Sequence, residues 1–238
     1  MIPTYEEAAN ITEVLQRVRA VLADADILVV DDNSPDGTAD LARAAGTELG
    51  GVDVLVRAKK DGLGSAYRDG FRIGLERGYE RLVQMDADLS HDPAALPTLL
   101  ERLQGDVAGV IGSRYVPGGS IPHWPWHRRA LSKWGNRYAC VALGLHARDV
   151  TSGYRTYLAG TLDRIDVLST RAKGYGFQIE TAYRIARSGA QLAEVPIIFT
   201  DRTRGHSKMS LSVMVEELVL VTWWGIRDRL RDLRGRAG

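Results

Sequence analysis

Short, mostly apolar runs alternate with segments of helical spacing through the first 113 residues of this 238-residue chain. Residues 26–31 carry Ile-Leu-Val-Val, and similar runs occupy 52–56, 82–85 and 107–113. Between them, Ile11, Val14, Leu15, Val18, Val21 and Leu22 recur at helical intervals, and Leu96, Leu99, Leu100 and Leu103 do so after Pro93. Near-continuous apolar strands are those buried on both faces, as in parallel sheets. Strand–helix alternation predicts an α/β chain with a Rossmann-like, mostly parallel sheet flanked by helices. Such sheets bind ligands at the carboxyl ends of their strands.

Three of those ends are polar: Thr4-Tyr5-Glu6-Glu7, Asp31-Asp32 and Asp86-Ala87-Asp88. One crevice can gather all three. In extended chain, residues two apart point the same way, so Asp86 and Asp88 are expected to face one point. A pair of carboxylates there suits a hard divalent cation that keeps positions open for phosphate oxygens. An isolated Asp-x-Asp is a weak signal, because Asp is common in turns. The weight comes from its neighbours.

Net charge is +1, from 31 basic and 30 acidic residues, so nothing global points to nucleic acid. The single cysteine, Cys140, excludes an intrachain disulfide and fits cytosolic residence. It sits in an apolar stretch and reads as a small core residue. Five scattered histidines and one cysteine show no zinc spacing. No run of 18 apolar residues occurs, so no ordinary spanning helix is expected. Met1-Ile2-Pro3-Thr4 looks like the end of a strand whose beginning is missing. Gly62-Leu63-Gly64 lacks the spacing of a dinucleotide fingerprint, since Tyr67 stands where the third glycine belongs. Its glycines are expected to allow a tight turn or a close backbone approach.

Thr38 is expected to cap a helix running to Leu49. Further on, a loop over 116–127, a helix over 128–143, a strand over 150–158, a helix over 177–188 and an edge strand over 192–200 containing Pro196 are predicted. Arg114 ends one strand. Arg128 and Arg129 open a helix, where a cation opposes the helix dipole unless an anion binds nearby. Ser132 lies one turn on, on the side of Arg128. Arg202 to Lys208 form a basic loop that on its own reads as a solvated surface, though three cations and a glycine also suit a phosphate clamp. Residues 209–226 are mostly apolar, end in Trp223 and Trp224, and are followed by five arginines. Glu216 and Glu217 argue against spanning, so this segment fits an anionic membrane surface or a protein partner.

Together these segments resemble the dolichol-phosphate (polyprenol-phosphate) mannosyltransferases of glycosyltransferase family 2. The resemblance rests on Pro3-Thr4-Tyr5-x-Glu7, Val30-Asp31-Asp32-x-Ser34-Pro35-Asp36-Gly37-Thr38, Gly62-Leu63-Gly64 and Met85-Asp86-Ala87-Asp88-Leu89-Ser90-His91. It continues in Gly112-Ser113-Arg114-Tyr115, Arg128-x-x-x-Ser132, Thr151-Ser152-Gly153-Tyr154-Arg155, Gly174-Tyr175-x-Phe177-Gln178-x-Glu180 and Phe199-x-x-Arg202-x-x-Gly205-x-Ser207-Lys208.

The resemblance implies a GT-A fold over 1–208, followed by an amphipathic, basic-ended helix over 209–238. It implies transfer of mannose from GDP-mannose to a polyprenyl phosphate, on the cytoplasmic face of a membrane. It implies that Pro3, Tyr5, Glu7, Val30 and Asp32 hold the nucleoside. Asp86, Ala87 and Asp88 would serve the diphosphate, and Asp86, Asp88 and Ser90 a Mg²⁺ or Mn²⁺ ion. Arg114, Arg202 and Lys208 would contact phosphates, with Asp88 and Arg114 catalytic, while Arg128 and Ser132 would receive the acceptor phosphate. Three features depart from the family: Glu6 replaces the usual Asn, the first strand is short, and no transmembrane segments follow, so attachment would be peripheral or through a membrane-anchoring partner. Alternatives are a family 2 enzyme using another nucleotide sugar, such as UDP-glucose, a metal-dependent nucleotidyltransferase, and a non-catalytic binding protein.

Overall fold

The computed structural model describes residues 1–174, 176–201 and 218–227. Its strands are β1 (Ile2–Thr4), β2 (Ile27–Asp31), β3 (Val52–Val56), β4 (Arg81–Gln84), β5 (Val107–Ser113), β6 (Arg155–Leu158) and β7 (Gln191–Pro196). Its helices are α1 (Ile11–Val21), α2 (Thr38–Leu49), α3 (Leu63–Glu76), α4 (Leu96–Arg102), α5 (Trp126–Leu143), α6 (Ala159–Arg164) and α7 (Gly176–Arg187). Residues 218–227 are also helical, within the segment expected as a long C-terminal helix.

β1, β2 and β3 form a parallel ladder in that order. The other four strands run β4-β6-β5-β7, with β5 and β7 parallel and β6 antiparallel to both neighbours. Backbone bonds at Met1 join the two groups: its amine donates to the Val83 carbonyl at 2.8 Å, and its carbonyl accepts from Met85 N–H at 3.2 Å. The α/β class and the mostly parallel sheet hold, with β6 running antiparallel to its neighbours. Pro196 lies on the edge strand β7, where its missing N–H costs no ladder bond.

The strand expected over 150–158 begins only at Arg155. The fully buried Arg155 guanidinium takes the carbonyls of Val150 at 2.5 Å, Ser152 at 2.8 Å and Gln178 at 2.8 Å. The Val150 and Ser152 carbonyls thus face Arg155, and 150–154 folds as a loop.

Two apolar cores flank the sheet. In one, Tyr67 and Phe71 of α3 meet Phe177 of α7 and Tyr157 of β6, with Tyr67–Phe177 centroids 5.7 Å apart. In the other, Ile11, Val14 and Leu15 of α1 pack with Val29, Leu96 and Leu99. These are the periodic residues of the sequence, buried as their spacing requires. The Gly62-Leu63-Gly64 segment serves close approach: Gly64 N–H donates to Lys173 O at 2.6 Å, and a Cβ there would lie 2.4 Å from Ala172 O. Cys140 is half-buried, and burial pushes its thiol up to about 11, as expected of a packing residue. Among the described residues, no helix is long and apolar enough to cross a membrane.

Candidate active site

The ends of β1 and β2 are stitched together. Glu6 N–H donates to Ser34 Oγ at 2.9 Å, Glu7 N–H to Thr38 Oγ1 at 2.9 Å, and Ala8 N–H to Asp36 Oδ2 at 3.1 Å. Asp36, not Thr38, accepts at the start of α2, taking Thr38 N–H at 3.1 Å and its hydroxyl at 2.6 Å. Thr38 is free to receive Glu7 instead, which corrects the expected cap.

Asp31 is fully buried and structural, accepting from Thr4 Oγ1 and from the amide and hydroxyl of Ser34. Asp32 pairs with Arg57, which also bonds Asp69 and Ser65. Burial raises the Asp32 carboxyl, and Arg57 opposes that shift through its hydrogen bond and charge. Pro3 and Val30 are register partners across β1 and β2, Val30 with its side chain buried. Lys60 lies 3.7 Å over the Tyr5 ring, and Glu7 accepts from Asn10 Nδ2 at 2.8 Å. The five residues expected at the nucleoside therefore share one region of the sheet edge.

The acidic turn differs from its expected form. β4 stops at Gln84, Asp86 precedes a bend over 87–89 and Asp88 lies within it, with Leu89 at φ 62°. Strand alternation does not orient them, and their surroundings differ. Asp86 is partly exposed and accepts from Tyr67 Oη at 3.2 Å, while its N–H donates to His91 Nδ1 at 3.2 Å. Asp88 is buried, and its Oδ1 takes the amide and hydroxyl of Ser90 at 3.0 and 2.5 Å. Ala87 and Ser90 are buried beside them. Burial lowers the His91 pKa, and its ring stacks on Tyr154 at 4.9 Å.

Arg114 ends β5 in an aromatic setting, with its guanidinium 5.3 Å from the Tyr115 ring, 5.4 Å from Phe199 and 6.0 Å from Trp124. Its charge is turned to Asp149: Nε and Nη2 reach the two carboxylate oxygens at 2.7 Å each. Burial would raise the Asp149 carboxyl, but the charge and hydrogen bonds of Arg114 outweigh it and hold it below its ordinary value. Nearby, Arg128 stacks on Trp124 at 3.8 Å and its Nη1 lies 3.3 Å from both oxygens of Asp201. Ser132 accepts from Tyr115 Oη at 2.7 Å.

Residues 197–201 strap the two regions together. Ile197 N–H donates to Ser113 O at 3.0 Å, Phe199 N–H to Ser120 O at 2.9 Å, and Thr200 N–H to Ser90 O at 3.3 Å. The acidic turn and the region of Arg114 and Arg128 are thus neighbours through one strand-like segment. Arg202 and Lys208, which follow it in sequence, lie outside the described residues. Asp149, Asp201, Arg57 and Trp124 carry much of this geometry without having been marked in the sequence. Each bonds a partner far away in the chain, and no local spacing signals such a pairing.

Residues 1–165 match the family described as Glycosyl transferase family 2. The chain belongs to glycosyltransferase family 2. The transferase is 49% identical over 239 residues to an undecaprenyl-phosphate mannosyltransferase of Micrococcus luteus, covering 100% of this chain and 98% of that one. It is 47% identical over 236 residues to the polyprenol monophosphomannose synthase of Mycolicibacterium smegmatis, covering 99% of this chain and 89% of that one. Its fold resembles glucosyl-3-phosphoglycerate synthase from Mycobacterium tuberculosis, solved with Mn²⁺, UDP-glucose and phosphoglyceric acid, with TM-score 0.69 and 20% identity. That match covers 94% of the transferase and 77% of the other chain.

The donor set at the acidic turn fits a divalent cation. Asp86, Asp88 and Ser90 offer only hard oxygens, as Mg²⁺ or Mn²⁺ prefers. Among the described residues no group of three or more His, Cys, Asp or Glu forms a closed metal cage. A two-carboxylate set is the kind that leaves coordination positions to a phosphorylated ligand. The backbone at Gly153 crowds the same place, since a Cβ there would lie 3.3 Å from Asp86 Oδ1.

Proposed function

We propose that this transferase moves mannose from GDP-mannose to a polyprenyl phosphate, giving polyprenyl-phosphate mannose and GDP. The observation that carries the reading is the 197–201 strap, which joins the acidic turn to the segments bearing Arg114 and Arg128. The names of the relatives, an undecaprenyl-phosphate mannosyltransferase and a polyprenol monophosphomannose synthase, support the sugar and the lipid acceptor. Pro3, Tyr5, Glu7, Val30 and Asp32 flank the nucleoside, and Asp86, Asp88 and Ser90 hold a divalent ion. When bound, that ion supplies Lewis-acid stabilisation of the leaving diphosphate.

The reaction is a single inverting displacement. An acceptor phosphate oxygen attacks the anomeric carbon as the bond to GDP breaks, and GDP leaves with the bonding electrons. The acceptor is already anionic, so no general base has to remove a proton. Charge is the obstacle, and fixed cations aimed at it are the remedy. Arg128 and Ser132 receive the acceptor phosphate. Arg114, held in place by Asp149, is the cation of β5 on the donor side, its charge offset in part by that pairing. Arg202 and Lys208 contribute further cations on the donor side.

Attachment to the cytoplasmic face of a membrane is peripheral in this reading. Trp126, Leu131, Trp134 and Val141 on α5 are exposed, as are Val219, Trp223 and Ile226 in the 218–227 helix. The two helices touch, with Tyr138 Oη and Thr222 Oγ1 2.6 Å apart. Arg227 lies 4.8 Å over Trp223. Aromatic residues beside cations suit an anionic lipid interface or the exposed face of an anchoring partner.

The test is transfer of labelled sugar from GDP-mannose, and separately from UDP-glucose, to a short polyprenyl phosphate with and without EDTA. Label is expected in the lipid from GDP-mannose alone, and EDTA is expected to abolish it. Preference for UDP-glucose, or release of pyrophosphate in place of GDP, would overturn the assignment.

A further inference from the structure

Asp201 occupies the place in which the proposed function puts a phosphate. Both of its oxygens lie 3.3 Å from Arg128 Nη1, and its Oδ1 also accepts from Trp124 Nε1 at 3.0 Å. The Trp124 ring stacks under the Arg128 guanidinium at 3.8 Å. A carboxylate is therefore bound by two donors, a guanidinium N–H and an indole N–H, that converge on one spot. The ion pair is open to solvent, with the Arg128 and Asp201 side chains 43% and 40% exposed. Exposed pairs of this kind are weak and exchange readily with other anions. Their binding partners would survive the exchange, because the stacking on Trp124 holds Arg128 whether or not Asp201 is present.

We propose that Asp201 is a built-in competitor for the acceptor phosphate, a placeholder that the lipid phosphate displaces from Arg128 and Trp124 and that returns to evict the product. Trp124 Nε1 then becomes a second donor to the bound phosphate. This inference rests on the proposed function for the identity of the anion, a phosphate ester of an isoprenoid lipid.

The consequence is kinetic. Acceptor and product share the same lipid and the same phosphate, so a site that grips the first also grips the second. The acceptor is a monoester carrying about −1.5 to −2 charges at neutral pH. The product is a diester with a single charge. A competing carboxylate tethered beside the site acts at high effective concentration. By mass action it lowers the affinity of both ligands by one common factor. The more weakly held diester is thereby brought into the range where it leaves, while the more highly charged monoester still binds.

Asp201→Asn separates the competitor's charge from its shape. The amide oxygen can still accept from Trp124, but the ion pair with Arg128 is gone. The measurement is calorimetric titration of the full chain, without donor, with citronellyl phosphate and with its methyl diester. The variant should bind both ligands more tightly by the same factor, about two- to fivefold for an exposed pair. In the Asp201→Asn background, Trp124→Phe should weaken both again, since it keeps a ring beneath Arg128 and removes the indole donor. Thermal melts of each variant confirm folding. Unchanged or weaker binding by Asp201→Asn overturns the placeholder while leaving the transferase reading intact. Absence of binding by wild type and variant alike overturns the placeholder together with the assignment of Arg128 to the acceptor. Failure of mannose transfer by a wild type that shows the expected binding difference overturns the transferase reading alone.

Discussion

Arg114 and Asp149, 35 residues apart, are joined by three hydrogen bonds: the Arg114 backbone N–H at 2.9 Å and two guanidinium nitrogens at 2.7 Å each reach the same carboxylate. Both side chains are buried. Removing one partner of such a pair strands a buried charge, at a cost of about 3–5 kcal/mol. Asp149→Ala is therefore expected to lower Tm by roughly 6–20 °C, at about 2–4 °C per kcal/mol for a chain of this size. Calorimetry or a circular-dichroism melt measures it, and a shift under about 2 °C would refute a structural role for the pair.

The same carboxylate sets an acid limit. Its folded pKa is held below the ordinary value of 3.8, so its contribution is fully present above that pH and is lost as pH falls below 3.8 toward the folded pKa. Asp149→Asn should show a shallower fall of unfolding free energy below pH 3.8 than wild type, measured by urea denaturation at stepped pH.

Asp88→Asn tests the acidic turn. The amide keeps an oxygen for the Ser90 N–H, so the bend should survive and Tm should change little. Losing the ionic ligand should reduce kcat at least about a hundredfold, a small part of what metal assistance can supply. Binding of Mn²⁺ followed by electron paramagnetic resonance should weaken in parallel. Near-normal turnover would remove the aspartate from the chemistry.

Gly64→Ala should cost about 1–3 kcal/mol, because its methyl group would sit 2.4 Å from the Ala172 carbonyl oxygen. The opposing atom is backbone and has no rotamer to yield. Chemical denaturation gives the value directly.

Glu6 adopts φ 55°, a region that Asn enters far more readily than Glu. Glu6→Asn, the residue the family resemblance leads one to expect there, should stabilise the fold by about 1 kcal/mol, part of the cost of a left-handed residue other than Gly, Asn or Asp. An unchanged or lowered denaturation midpoint would contradict this.

Replacing Trp134 and Trp223 by Ser should leave stability within about 0.5 kcal/mol, since both are largely exposed. It should reduce co-sedimentation with phosphatidylglycerol vesicles several-fold, as expected when interfacial aromatics are lost. Equal sedimentation of variant and wild type would assign this face to something other than lipid.

Much of the fold was legible because it is local. The helical period of Ile11 to Leu22 and the apolar runs at 27–31 and 107–113 depend on neighbours in sequence, and those elements stand where their patterns put them. α6 had no comparable stripe and went unmarked. The loop at 150–154 resisted reading for a different reason: Arg155 bonds its own upstream carbonyls, and composition does not reveal which acceptor a guanidinium will choose. The aspartates of the turn were legible as chemistry, but their orientation was not, since the bend at 87–89 replaces strand alternation.

By itself the sequence determined the order of strands and helices, the family, and the residue types available for a nucleotide sugar and a phosphate. Those depend on side-chain chemistry and short-range periodicity, which survive in one dimension. Only the tertiary structure decided that Asp149 claims Arg114, that Asp201 claims Arg128, and that a five-residue strap brings the acidic turn beside both. Charges pair by distance in space, and in a folded chain that distance is set by packing rather than by separation along the backbone.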